Sequence, residues 1–325
     1  MIVVRTPLRL SFLGGGSDFP DFYRKAGGAV VSTAIDKYVY VIIKGRFDEQ
    51  VVVNYSQRET VSSASDLKHE LIREAMRVTG VDSGVEITTL ADVPASGTGL
   101  GSSSTVTVGA LQALFTYQGV IVTSDDLARQ ACEIELEFCR KPIGKQDQYI
   151  AAYGGIRLIE FLKDDRTRVS NVLIPEKALQ GLTRRLMLFY TNRTRSSASV
   201  LKEQNENIGD RHELLCQLRD MAYAGARNLA DGDLDALGRL MHEGWVLKKQ
   251  LASGVSDKAI NDMYDAARQA GALGGKIAGA GAGGFLLLYC PLDKQDQVRN
   301  ALGHLRELPI GLERDGSKVI LNIRR

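Results

Sequence analysis

The sequence predicts an α+β fold in two domains that share a cleft. Segments with strand and helix patterns are mixed, without the strict strand–helix–strand order of a doubly wound sheet. A chain of 325 residues is long for one domain and comfortable for two. The division is placed between residues 170 and 171, in a polar, turn-like stretch. Three glycine-rich segments, at 14–16, 97–101 and 279–284, fall at junctions between elements.

The elements follow from local pattern. Val4, Leu8, Leu10 and Phe12 alternate with polar residues, which predicts a strand over 2–13. Residues 37–46 are β-branched and aromatic, a second strand, with 50–55 as its hairpin partner. Leu67, Leu71, Ile72 and Ala75 recur at helical spacing over 66–78. A strand at 85–93, a Gly/Ser-rich loop at 94–104 and an apolar helix at 106–117 follow. Ser124 or Asp125 caps a helix running to about 138. A short helix spans 144–153 and a strand 156–161. In the second half, a strand at 185–190 precedes helices near 196–208, 211–230, 233–251 and 257–270. Leu234, Leu237, Met241 and Trp245 form one stripe of the third helix, read as core rather than a binding face. A glycine-rich turn at 274–284, a strand at 285–289, a helix near 293–303 and a strand at 318–323 complete the chain.

Composition narrows the function. Apolar residues are 44% and charged residues 25%, ordinary for a globular protein. A formal net charge of +2 gives no case for nucleic acid or an anionic membrane. No uncharged apolar run approaches the roughly 18 residues of a membrane span, and the N-terminus does not read as a signal peptide. A cytoplasmic location is expected. Cys132, Cys139, Cys216 and Cys290 form no CxxC pair and read as reduced thiols. His69, His212, His242 and His304 are too scattered for a histidine metal site.

The chemistry concentrates in four places. Between a predicted strand and helix lie Pro94, Ser96, Gly97, Gly99, Leu100, Gly101, Ser102, Ser103 and Ser104. Glycines let the backbone approach a bulky anion, and the free N–H groups of a helix start favour a phosphate. The loop lacks the lysine of a Walker A motif, and neither Gly144-Lys145 nor Gly275-Lys276 is followed by Ser or Thr. Gly279, Gly281 and Gly284 spell GxGxxG, but they lead into a strand where a dinucleotide site requires a helix. Gly14, Gly15 and Gly16 precede Ser17 and Asp18, whose carboxylate can accept from sugar hydroxyls. Asp147 lies on the short helix beside an amide pair, Gln146 and Gln148.

Together these segments resemble the GHMP kinases, over nearly the whole chain. The first family motif resembles Thr6 to Asp18, the second 94–104, and the third 276–284. The resemblance implies a ribosomal-protein-S5-like N-terminal domain, a ferredoxin-like C-terminal domain and an active site between them. It implies Asp147 as catalytic base, with Arg9 polarising the acceptor hydroxyl or steadying the base. Ser103 and Glu135 match the magnesium ligands, and the 94–104 loop matches the ATP phosphate site. Gly15, Gly16, Ser17, Asp18, Gly144 and Gly281 match substrate positions. Where galactokinases carry Glu-His before Thr-Asp, this chain has Gly15-Gly16 before Ser17-Asp18. That form is most similar to bacterial D-glycero-α-D-manno-heptose 7-phosphate kinases, which make the 1,7-bisphosphate for GDP-heptose and surface glycans. Arg193 and Arg195, between a strand and a helix start, are candidates to clamp an acceptor phosphate. ATP, Mg2+ and a sugar or sugar phosphate are the expected partners, with homodimerisation left open. Fucokinase- and galactokinase-like kinases share much of the pattern. A binding protein that kept the fold would be expected to have lost Asp147, Arg9, Glu135 or the serine loop, and all are present.

Overall fold

The computed structural model describes residues 1–94, 97–193 and 197–323. The chain runs β1 (Ile2–Leu13), α1 (Pro20–Ala26), β2 (Gly28–Gly45), β3 (Val51–Asn54), β4 (Arg58–Val61), α2 (Glu70–Thr79), β5 (Val85–Ala91) and α3 (Ser102–Gln118). It continues through α4 (Ser124–Cys132), α5 (Gln146–Tyr153), β6 (Ile156–Phe161), β7 (Thr167–Asn171), α6 (Glu176–Arg185), β8 (Leu186–Tyr190) and α7 (Ser197–Glu206). It ends with α8 (His212–Asp231), α9 (Leu234–Lys248), α10 (Lys258–Gln269), β9 (Gly274–Ile277), β10 (Phe285–Tyr289), α11 (Gln295–Ala301), β11 (Arg306–Glu307) and β12 (Lys318–Asn322). None of the described helices is long and apolar enough to cross a membrane.

The larger sheet has the order β12-β1-β2-β5-β3-β4, with β6 and β7 joined to it through β2. β2 is its spine. Residues 28–33 pair with β6 and residues 39–45 with β5, while β1 runs along the other edge. Sequence pattern found only the second half of β2. The first half is buried at every position, so it has no polar alternation to read. The expected hairpin between 37–46 and 50–55 is corrected: β3 pairs parallel with β5 and antiparallel with β4, so β5 lies between β2 and β3. Val51, Val52 and Val53 are all buried, as an interior strand requires. The polar stretch at 165–180 forms β7 and α6, two surface elements with few buried side chains.

The second sheet is antiparallel, in the order β11-β8-β10-β9. The two-residue period of its strands splits its side chains between two cores. Leu188 and Leu287 join the core that fills the first sheet. Met187, Phe189, Leu286 and Leu288 pack with Trp245, Ile260 and Tyr264 beneath the second. The helical stripe at 234–245 is therefore core, divided so that Leu237 and Met241 face one cluster and Trp245 the other.

The end of the chain returns to the first sheet. β12 pairs with Ile2 to Arg5 of β1, and Ser317 Oγ lies 2.8 Å from Thr6 Oγ1. Both sheets separate between β7 and β8, but the last strand of the 171–325 segment lies beside β1. This pairing stops at Arg5, leaving the rest of that edge open. Pro7 has no N–H to lose there, and the Arg9 N–H donates instead to Leu100 O at 3.1 Å. The glycine-rich loop docks on β1 by this bond.

Trp245 is 1% exposed and anchors α9 against the second sheet. Trp245→Ala is expected to cost about 3–5 kcal/mol of stability, read by urea unfolding. A loss below about 1 kcal/mol would show that this core does not depend on it.

Candidate active site

Three distant segments meet at one ion pair. Arg9 Nε donates to Asp147 Oδ1 at 2.7 Å and Nη2 to Oδ2 at 2.6 Å, while Nη1 donates to the Gly99 carbonyl. The planar guanidinium fork suits both the carboxylate and the carbonyl. Arg9 sits on β1 with its side chain 5% exposed, and Asp147, in the first turn of α5, is 23% exposed. The arginine thus lies behind the carboxylate, which faces the cleft.

The 97–101 loop leads into α3. Gly101 caps that helix at φ 81° with no side-chain hydrogen bond, which leaves its first N–H groups uncapped at the cavity wall, an arrangement that favours an anion. Gly99 has φ +74°, and a Cβ there would stand 2.2 Å from Ala278 O. The loop leans on the third glycine segment, which joins β9 to β10. β9 and β10 form an antiparallel pair, so no helix follows that GxGxxG. Lys248 Nζ on α9 donates to Gly279 O at 2.9 Å, and Gln204 Nε2 on α7 to Ala280 O at 3.2 Å.

Glu135 arrives by a departure from the expected helix. α4 ends at Cys132 and residues 133–138 form a π-helical turn. That turn buries Glu135 completely. Its Oε2 accepts from Ser104 Oγ at 3.2 Å and Ser103 Oγ at 3.5 Å. Oε1 has no hydrogen-bond partner among the described residues. Burial pushes the carboxyl up to about 7, opposed by Lys141 and the Ser104 hydroxyl. Lys141 Nζ also donates to Ser103 Oγ at 3.1 Å and pairs with Glu70 at 3.3 Å.

Asp18 is 2% exposed. It accepts from Gly16 N–H at 2.9 Å and Gln146 N–H at 3.3 Å. Burial raises its carboxyl, those N–H groups oppose the rise, and the Asp147 charge adds to it. A Cβ at Gly144 would lie 2.0 Å from Asp18 Oδ2, which explains the glycine.

One cavity of about 480 Å³ gathers Arg9, Gly16, Asp18, Gly97, Gly99, Gly101, Ser102, Ser103, Ser104, Glu135, Gly144 and Asp147. Other expected residues lie outside its lining. Pro94 is exposed, and Leu100 is buried behind the loop. Ser17 Oγ donates to the Gly14 and Ala29 carbonyls, so it pins the turn. Gly281 packs against the Val255 backbone. The Arg193 guanidinium pairs with Asp257 at 2.6 Å, and Arg193 is not among the residues that line the cavity. Ser96 and Arg195 fall outside the described residues. The lining also holds Lys141, Gln204 and Lys248, which sequence reasoning passed over. Lys248 had a signal: it lies three residues after Trp245 on the apolar stripe, where a lysine is out of place.

The family profile described as GHMP kinases N terminal domain matches residues 66–155, and that described as GHMP kinases C terminal matches 226–305. Between them they span more than half of the chain. The chain belongs to the GHMP kinases. It is thus an ATP-dependent kinase. Over 315 residues the kinase is 29% identical to D-glycero-alpha-D-manno-heptose 7-phosphate kinase of Campylobacter jejuni, with 93% of each chain covered. It is 25% identical over 341 residues to the bifunctional fucokinase/GDP-fucose pyrophosphorylase of Arabidopsis thaliana, covering 94% of this chain and 32% of the relative. The crystal structure of a D-glycero-D-manno-heptose 1-phosphate kinase from Bacteroides thetaiotaomicron superposes with a TM-score of 0.84 at 26% identity, over 100% of both chains.

Burial pushes the Lys248 ammonium of this GHMP kinase down to about 8, with Asp18 opposing the shift. The folded value lies below the ordinary 10.5, so the cost of burying the charge is complete below pH 8 and fades between about 8 and 10.5. Lys248→Met is expected to be more stable than the wild type at pH 7, by about 1–3 kcal/mol, with the gap closing towards pH 10. Urea unfolding across that range tests this. A variant less stable at pH 7, or a gap that does not change with pH, would contradict it.

Proposed function

We propose that this kinase transfers the γ-phosphoryl group of ATP to the anomeric hydroxyl of a sugar phosphate. The acceptor is D-glycero-α-D-manno-heptose 7-phosphate, and the product its 1,7-bisphosphate, an intermediate for surface polysaccharide. The observation that carries the reading is Asp147, held open to the cavity by Arg9 beside a glycine loop and a bare helix start. The similarity to the C. jejuni kinase across 93% of both chains supports the acceptor.

Each group then has a task. The α3 N-terminus and the 97–101 backbone receive the ATP phosphates. Asp147 takes the proton of the acceptor hydroxyl as its oxygen bonds to phosphorus and the bond to ADP breaks. Arg9 fixes the carboxylate in place for that transfer. Asp18 accepts from sugar hydroxyls. Ser103 and the unpartnered Glu135 Oε1 are hard oxygen donors and fit a magnesium ion, which would neutralise phosphate charge. Little covalent chemistry is required of the protein, so positioning and charge carry the catalysis.

A coupled assay for ADP across heptose 7-phosphate, fucose, galactose, mannose and mevalonate tests the acceptor. Heptose 7-phosphate is expected to give the highest kcat/KM; a stronger response to fucose would move the assignment to the fucokinase relatives. With the best acceptor, Asp147→Asn is expected to lower kcat by about two to four orders of magnitude with ATP binding retained. Turnover near the wild-type rate would remove Asp147 as the base. Ser103→Ala and Glu135→Gln are each expected to raise the magnesium concentration at half-maximal rate several-fold, and unchanged titrations would count against both ligands.

A further inference from the structure

We propose that Lys248 recognises an anionic substituent of the acceptor, a phosphate monoester, at the part of the cavity lined by Gly16, Gln146 and Lys248. This rests on the acceptor being a sugar phosphate.

The cations around the cleft differ in what they already hold. Arg9 is taken by Asp147, Lys141 pairs with Glu70, and Arg193 is held by Asp257. Lys248 lines the cavity, is 6% exposed, and has no carboxylate within ion-pair distance among the described residues. Its one hydrogen bond goes to the Gly279 carbonyl at 2.9 Å, which leaves two ammonium protons uncommitted. A buried charge that no carboxylate contacts directly is costly to a folded protein. An anionic ligand would supply the missing partner.

The neighbouring groups indicate where it sits. An added Cβ at Gly15 would lie 3.4 Å from Lys248 Nζ, 3.6 Å from Gln146 Nε2 and 3.7 Å from Ser11 Oγ. Ser11 is 4% exposed and its Oγ has no hydrogen-bond partner among the described residues. The Gln146 carbonyl oxygen accepts from Ser32 Oγ at 3.3 Å, so its amide N–H2 faces the same space. The ammonium and the amide donor therefore line the cavity on either side of the Gly15 backbone, with the orphaned Ser11 hydroxyl buried behind it. Donors so placed without an acceptor of their own are arranged for an oxygen-rich group. Gly15 lies outside the left-handed region, so its backbone would accept a side chain. A carboxylate there would satisfy Lys248 from within the protein.

Two variants test this from opposite sides. Lys248→Met removes the cation, whereas Gly15→Glu keeps it and supplies an internal competitor. For each, kcat/KM is measured for heptose 7-phosphate and for the unphosphorylated heptose, together with the KM for ATP. Both variants are expected to lower the preference for the phosphorylated sugar by about ten- to a hundredfold, mainly through its KM. Equal losses for the two sugars in both variants, or a rise confined to the ATP KM, would overturn the assignment while leaving the acceptor reading intact. A wild-type enzyme with no preference for the phosphorylated sugar would overturn the acceptor reading, and this inference with it.

Discussion

The site depends on a buried arginine that must be neutralised. Arg9 projects from β1 into the space between the sheets, where an unpaired guanidinium would be strongly destabilising. Its fork is filled by Asp147, 138 positions away, and by the Gly99 carbonyl. The need to satisfy one charge thus fixes three things together: the strand, the glycine loop and the start of α5. The carboxylate held this way is positioned before any substrate arrives, as the role of base proposed for it requires.

Charge balance organises the rest. The charges of Asp18, Asp147 and Arg9, from the first half of the chain, act on Lys248 and Lys276 of the second, the two carboxylates favouring the ammonium forms and Arg9 opposing them. Burial pushes Lys276 well down, with the nearby Lys248 and Arg9 charges adding to that, and it lies outside the cavity lining. Lys248 remains in the cleft with a carbonyl as its hydrogen-bond partner. The proposed anion-binding role gives that cost a purpose. The buried and unpartnered Glu135 Oε1 is the same kind of cost with the opposite sign, as suits a cation ligand.

Sequence showed most of the site because its chemistry sits in unusual residues at element junctions. Glycines with positive φ, a run of three serines and a carboxylate beside glutamines are visible without a fold. The 97–101 loop, Asp18, Glu135 and Asp147, which line one cavity, stood out in the sequence for this reason, although in Glu135's case only through the family resemblance. Lys248 was passed over despite its place in line with the core stripe of α9, because a lysine near a helix end reads as solvated until its burial is seen. The partner of Arg193 was equally hidden: a basic residue at a strand end looks free until Asp257, 64 positions on, is seen to pair with it. In the fold, the buried first half of β2 escaped because period-two reading needs a polar face. The crossing of β3 past β5 escaped because strand order is set by long-range pairing that neighbouring residues do not encode. The return of β12 to the first sheet has the same origin.

The most direct test is a crystal structure of the kinase with a non-hydrolysable ATP analogue and heptose 7-phosphate. The account predicts the triphosphate against the α3 N-terminus, the anomeric oxygen within hydrogen-bond distance of Asp147, and the Arg9 fork unchanged. A nucleotide bound away from the 97–101 loop, or an acceptor whose hydroxyls all lie out of reach of Asp147, would contradict it.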